Sequence, residues 1–175
     1  MSEDKALNAK ERSQQLALER RAARLAAVQA LYQWEQTGAG PEAVISEFGT
    51  HRLGESTENE ELPRADRKLF AELVRGVSAD VEELDDMLSA VLTEDWSIDR
   101  LESILRAIMR CGAFELAHRQ DVPPKVVISE YLAVADAFFG EKETAMTNGV
   151  LDNLAQTLRP GELTAKGTIR GKTAS

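Results

Sequence analysis

Apolar residues in this chain recur at helical spacing, and no stretch sustains the period-two alternation of β-branched residues that a half-buried strand needs. Between Asp66 and Leu92, the residues Leu69, Leu73, Val77, Leu84, Leu88 and Val91 follow at three-, four- and seven-residue steps, which predicts one long amphipathic helix. From Ser13 to Gln36 the chain is rich in Ala, Leu, Arg and Gln and free of Gly and Pro. A second long helix is expected there, stopped by Gly38 and Gly40. The fold class these patterns define is all-α, without an internal repeat.

Pro41 suits the first turn of a short helix carrying Val44, Ile45 and Phe48. It gives way to a polar, acidic stretch, 49–65, expected as a flexible surface loop. Ser97 is placed to cap the next helix, whose Leu101, Ile104, Leu105, Ile108 and Met109 form a buried face continuing past Gly112 to His118. Val122-Pro123-Pro124 breaks it, and Pro124 starts a helix through Val127, Ile128, Tyr131, Leu132, Ala135 and Phe138, with Gly140 suited to a left-handed stop. The last helix is expected near Thr144 to Leu158, burying Val150, Leu151 and Leu154. Segment 1–18 reads as a polar extension, partly disordered or helical, and 159–175 as a flexible tail.

At 175 residues, with 43% hydrophobic but only 5% aromatic residues, one compact core of aliphatic side chains is the default. No apolar run is long enough to span a bilayer and the first ten residues are too polar for a signal peptide, so a cytoplasmic protein without membrane contact is expected. Cys111 has no disulfide partner, and with only His51 and His118 beside it there is no zinc-ligand set. Cys111 lies in an apolar helical run and reads as a small core residue. Glu82, Asp85 and Asp86 share a helix face but lack a matching His, and read as a solvated or partner-facing surface. With neither a phosphate-cradling glycine loop nor a dinucleotide fingerprint, no cofactor, metal or catalytic role is expected: the chain is not an enzyme.

The net charge of −9 argues against nucleic-acid binding only if charge is spread evenly, and it is not. Carboxylates crowd into Glu55 to Asp66 and Glu82 to Asp86, whereas Arg20, Arg21 and Arg24 cluster near the start. At 100° per residue these arginines fall on the same arc as Val28, Leu31 and Tyr32, so the face that is basic early becomes apolar later. Lys10 lies on that arc and Arg12 near its margin, if the helix reaches so far back. Most helical arginines snorkel over apolar neighbours or pair with surface carboxylates. The alternative is a grip on single-stranded RNA, where cations hold phosphates and flat side chains stack bases; Tyr32 and Phe139 are the candidate rings, or else core residues.

The segment Arg20-Arg-Ala-Ala-Arg-Leu-Ala-Ala-Val-Gln-Ala-Leu-Tyr32 resembles the first helix of the NusB family, the bacterial transcription antitermination factors. Asp121-Val-Pro-Pro-Lys-Val-Val-Ile-Ser-Glu130, Phe139-Gly140 and Asn148-Gly-Val-Leu-Asp152 follow the order and spacing of its last two helices. Asp66 to Val77 and Ala113-Phe-Glu-Leu116 look like the helices between, so the likeness runs from about Glu19 to Leu158 and places one helical RNA-binding domain over 19–158. It implies an all-α fold of two small packed helical bundles with about seven helices. It also implies binding rather than turnover: a heterodimer with NusE, a small-subunit ribosomal protein, that holds boxA-type single-stranded RNA and joins the RNA polymerase antitermination complex.

By position, the resemblance assigns RNA contacts to Arg20, Arg21, Arg24 and Tyr32, which Lys10 and Arg12 could extend. It assigns a second region to Phe139, Lys142, Glu143, Met146 and Asn148, and implies that both regions line one groove. Many members carry Phe-Val before Asn-Gly where this chain has Met146-Thr147, so a stacking ring gives way to a thioether. Two alternatives stand beside this reading. One is a NusB-like protein-binding module without RNA affinity. The other is the accessory domain of an rRNA cytosine methyltransferase, which needs a catalytic fold that the residues after Leu158 do not supply.

Overall fold

The computed structural model describes the backbone of residues 2–51, 65–93 and 95–163, and the side chains of 8–50, 65–93 and 95–163. Among the described residues there are seven α-helices and no strand: α1 Ser2–Thr37, α2 Pro41–His51, α3 Arg67–Ala79, α4 Val81–Val91, α5 Ser103–His118, α6 Pro124–Phe138 and α7 Glu141–Leu158. A short 3-10 turn, Ile98–Arg100, precedes α5. The chain divides into two compact units, the first ending at Arg75 and the second beginning at Gly76, where length alone favoured one. The acidic residues Glu55 to Glu61 and the tail beyond 163 lie outside the described residues.

In the first unit α1 starts at Ser2 instead of near Ser13, because no Gly or Pro interrupts the helix formers before Gly38. There the backbone turns left-handed (φ +71°), and the Gly38 N–H donates to the Trp34 carbonyl at 3.1 Å. Ala23, Ala27, Val28 and Leu31 of α1 are buried, as are Val44 and Phe48 of the packed α2. The Phe48 ring stacks on Phe70 of α3, centroids 5.8 Å apart. Asp66 caps α3 by accepting the Leu69 N–H at 3.0 Å, while its own N–H donates to the Glu19 carbonyl at 2.9 Å. Arg75 reaches back to Glu42 through two hydrogen bonds of 2.6 and 3.0 Å, which hold that carboxyl below the usual glutamate range.

The single long helix expected from Asp66 to Leu92 is two helices. Asp80, at φ −108° and ψ 20°, separates α3 from α4, and its carboxylate lies 3.5 Å from His118 Nε2 at the end of α5. The seven-residue step from Val77 to Leu84 stays in phase across this break, so apolar spacing does not register it. Ser97 caps no α-helix: it precedes the 3-10 turn without a side-chain cap bond, and α5 begins at Ser103. Gly140 does not make a left-handed stop either. Its φ is −93°, and it stands as the residue before α7, which opens at Glu141, earlier than Thr144.

Within the second unit α5 packs on α4, α6 and α7. Cys111 is fully buried in it, as expected of a core residue. Arg110 forks onto Asp85 of α4 at 2.8 and 2.7 Å, so one of the three carboxylates read as a solvated or partner-facing surface is engaged internally; Glu82 and Asp86 are exposed. Glu115 is fully buried and accepts the Tyr131 hydroxyl of α6. Arg159, just past α7, donates to the Val122 carbonyl at 2.6 Å and the Gln120 carbonyl at 3.2 Å, tying the end of α7 to the turn before α6.

Gly76 of α3 lies under the Phe114 ring of α5, and a Cβ there would come within 2.2 Å of two ring carbons. The ring cannot give way as a long aliphatic tip could, so this glycine is required by close approach. Gly76→Ala is expected to lower stability by about 1–3 kcal/mol through overpacking, more than the ~1 kcal/mol gained in helix propensity. Urea denaturation followed by circular dichroism measures the net change; equal or higher stability would contradict the packing described.

Candidate nucleic-acid interface

Since α1 is helical from Ser2, Lys10 and Arg12 share one rod with Arg20, Arg21, Arg24 and Tyr32. At 1.5 Å per residue, Lys10 to Tyr32 spans about 33 Å. Residues 8–18 are exposed throughout, and full burial begins at Ala23. That boundary decides the fate of the arginines. Arg20 and Arg21 are exposed, whereas Arg24, one turn on and on the same arc, is 3% exposed. Of the three arginines on this face, Arg20 and Arg21 therefore lie at the surface and Arg24 does not. A guanidinium on the apolar arc meets water only where that arc is still uncovered. Tyr32 sits at the edge of the arc and is 41% exposed, which leaves its ring available as a flat surface. Lys10 and Arg12 are exposed, the latter donating to the Asn8 carbonyl at 3.3 Å.

The second set gathers in the second unit, at the junction of α6 and α7. Phe139 is extended and half-buried, its N–H bonded to the Ala135 carbonyl at 2.8 Å. The preceding Phe138, which the helical period places in the core with Tyr131 and Ala135, is 41% exposed. It is the last residue of α6, and an apolar position at a helix end keeps its phase without keeping its neighbours. Lys142 and Asn148 are exposed, and Glu143 and Met146 are half-buried. Thr147 is fully buried, its hydroxyl donating to the Glu143 carbonyl at 2.8 Å. Of the Met146-Thr147 pair, only Met146 reaches the surface.

Sequence reasoning missed one interaction here. The Lys142 ammonium lies over the Trp96 ring, 5.5 Å from its centroid, and nothing in the spacing of residues so far apart in the chain signals it. Among the described residues no cluster of His, Cys, Asp or Glu is arranged to hold a metal ion, and no helix is long and apolar enough to cross a membrane. What the two sets offer chemically is cationic and aromatic surface.

Among the described residues the chain is helical, in two compact units, with Arg20 and Arg21 exposed on its opening helix and aromatic and cationic residues at the junction before its closing helix. Residues 21–156 match the family model described as the NusB family. The transcription antitermination protein NusB of Rhodopseudomonas palustris (strain BisB18) is 47% identical over 143 residues, covering 82% of this chain and 85% of that protein. The protein of the same name from Caulobacter vibrioides is 47% identical, covering 80% and 94%. Among solved structures, NusB of T. maritima superposes with a TM-score of 0.69 at 29% identity, covering 82% of this chain and 94% of that one. A crystal structure of the antitermination factors NusB and NusE in complex with dsRNA, at 24% identity and a TM-score of 0.68, shares the fold. The chain belongs to the NusB family.

The unequal burial of the arginines has a measurable consequence. Arg24→Ala removes a buried, engaged guanidinium and should cost about 1.5–3 kcal/mol of stability. Arg20→Ala and Arg21→Ala should stay within about 0.5 kcal/mol of the parent, as exposed substitutions do. Chemical denaturation of the three variants checks this, and equal effects would refute the burial boundary drawn between Arg21 and Ala23.

Proposed function

We propose that this chain is a cytoplasmic RNA-binding adaptor of transcription antitermination, which holds boxA-type single-stranded RNA of rRNA operon transcripts as a heterodimer with NusE and acts by binding, without turnover. The observation that carries the reading is the exposed basic stretch of α1, Lys10, Arg12, Arg20 and Arg21, leading to the exposed ring of Tyr32. Arg20, Arg21 and Tyr32 of this set are among the residues that the family resemblance assigns to RNA, and the 47% identical relatives bear the name of transcription antitermination proteins. In this reading the α1 cations hold phosphates, and Phe139, Lys142, Glu143, Met146 and Asn148 form a second RNA-contacting set.

Fluorescence anisotropy with a short labelled boxA-like RNA, with and without NusE, tests the reading. Single-stranded RNA should bind more tightly than a duplex of the same sequence. Arg20→Ala combined with Arg21→Ala should weaken binding, and the slope of log affinity against log salt should fall by about 0.7 for each phosphate no longer neutralised. Unchanged affinity in the double variant would remove α1 from the site. If no RNA bound while NusE did, the protein-binding alternative would hold, a reading favoured by the burial of Thr147 and the absence of a ring at Met146.

The net charge of −9 bears on the partner as well. If NusE is basic, as ribosomal proteins usually are, opposite fields accelerate encounter. The association rate measured by stopped flow should fall as salt rises, and a salt-independent rate would contradict charge steering.

A further inference from the structure

We propose that Trp96, with Lys142 resting on its ring, forms a nucleotide subsite in which the indole stacks a base of single-stranded RNA and the ammonium pairs with the adjoining phosphate. This rests on the RNA-binding reading and adds a residue to it that family position did not supply.

Trp96 sits in the turn that follows α4, where its N–H donates to the Thr93 carbonyl at 2.9 Å, so its backbone is fixed by a tight turn. The side chain is only half-buried and lies between exposed Asp95 and Ser97. An indole serving the core alone would be covered, as Tyr131 and Phe70 are in this chain. Lys142, in the first turn of α7, places its ammonium 5.5 Å from the ring centroid, within cation–π range.

Carboxylates are close at hand, since Glu141 and Glu143 flank Lys142 in sequence and Asp95 precedes Trp96. Among the described residues the Lys142 ammonium nevertheless makes no ion pair and rests on the ring. No carboxylate among the described residues takes up its charge, which lies beside a flat apolar surface. A cation next to an aromatic plane is the pairing by which proteins hold unpaired nucleotides. The exposed acids Asp95 and Glu141 limit the site to one phosphate, because a backbone tracking across them would be repelled.

The position on α7 fits the same purpose. Met146 lies one turn after Lys142 and so shares its helix face. Met146 carries no ring, and the flat surface on this side of α7 is the Trp96 indole beneath Lys142.

The test uses the full-length chain in a Trp34→Phe background, which leaves Trp96 as its only tryptophan. Saturation with unlabelled boxA-like single-stranded RNA should quench Trp96 emission. In anisotropy titrations Trp96→Ala should weaken binding roughly 5- to 150-fold, the range for removal of one base–aromatic stack, with the salt slope unchanged. Trp96→Phe should keep most of the affinity, and Lys142→Gln should lower the slope by about 0.7. If Trp96→Ala fails to fold by circular dichroism, the quenching and Trp96→Phe decide. RNA binding with undisturbed emission and wild-type affinity in the Trp96 variants would overturn the subsite and leave the RNA reading intact. Failure of the parent chain to bind RNA at all would instead overturn that reading and the subsite with it.

Discussion

Ala107 to Ala113 of α5 are buried without interruption, so for two turns this helix has no solvent face. A helix covered all round needs neighbours on every side, and α4, α6 and α7 supply them. The polar groups drawn into that environment are provided for. Arg110 meets Asp85 in a two-bonded fork, and the Glu115 carboxylate receives the Tyr131 hydroxyl. Where helices approach too closely for a side chain, glycine appears: a Cβ on Gly112 would fall 2.8 Å from a Leu151 methyl of α7. This one constraint fixes where α6 ends and α7 begins, and so holds Phe138, Phe139 and Lys142 at a defined place on the second unit.

In the first unit the decisive fact is a boundary along a single helix. Arg20, Arg24, Val28 and Leu31 occupy one arc of α1, yet the first is in water and the others are buried. The same geometry therefore serves two purposes along its length, hydrophobic packing toward the C-terminal end and cationic display toward the N-terminal end. Charge segregation of this kind lets a chain of net charge −9 present a basic surface, because at physiological salt a phosphate responds to charges within roughly 8 Å and not to the molecular total.

Much of this is legible in the residues. Gly38 ends α1, Pro124 opens α6, Cys111 lies in the core and the fold class is all-α, each for the local reason anticipated. What escapes does so for physical reasons. Asp80 interrupts a helix without shifting its apolar phase, and periodicity carries no record of such a bend. Phe138 and Arg20 obey the helical wheel but not the burial it suggests, since a wheel knows angle and not how far along the axis neighbours extend. Gly140 suits a left-handed stop by residue type alone, and the extended Phe139 already ends α6 before it. The pairing of Trp96 with Lys142 joins a turn to a helix far along the chain, and only the packing of α7 against α4 and α5 creates it.

The two candidate surfaces differ in the physics by which they would hold RNA. Lys10, Arg12, Arg20 and Arg21 act through charge on an exposed rod, and their contribution declines with each increment of salt as less is gained from counterion release. Stacking on an indole is short-ranged, indifferent to ionic strength and tolerant of base identity, since every base has a flat face. RNA held by stacking would keep a salt-resistant component after any electrostatic one had been screened away. Sequence preference must then come from groups that read base edges, and the half-buried carboxylate of Glu143 is of that chemistry: an acceptor next to the aromatic junction, suited to an exocyclic amino group and unsuited to a phosphate. On the proposed RNA-binding reading, an acid there would cost affinity for the backbone and contribute discrimination among bases. An excess of acids around a single lysine is thus compatible with RNA recognition, provided the phosphate grip is delegated to α1.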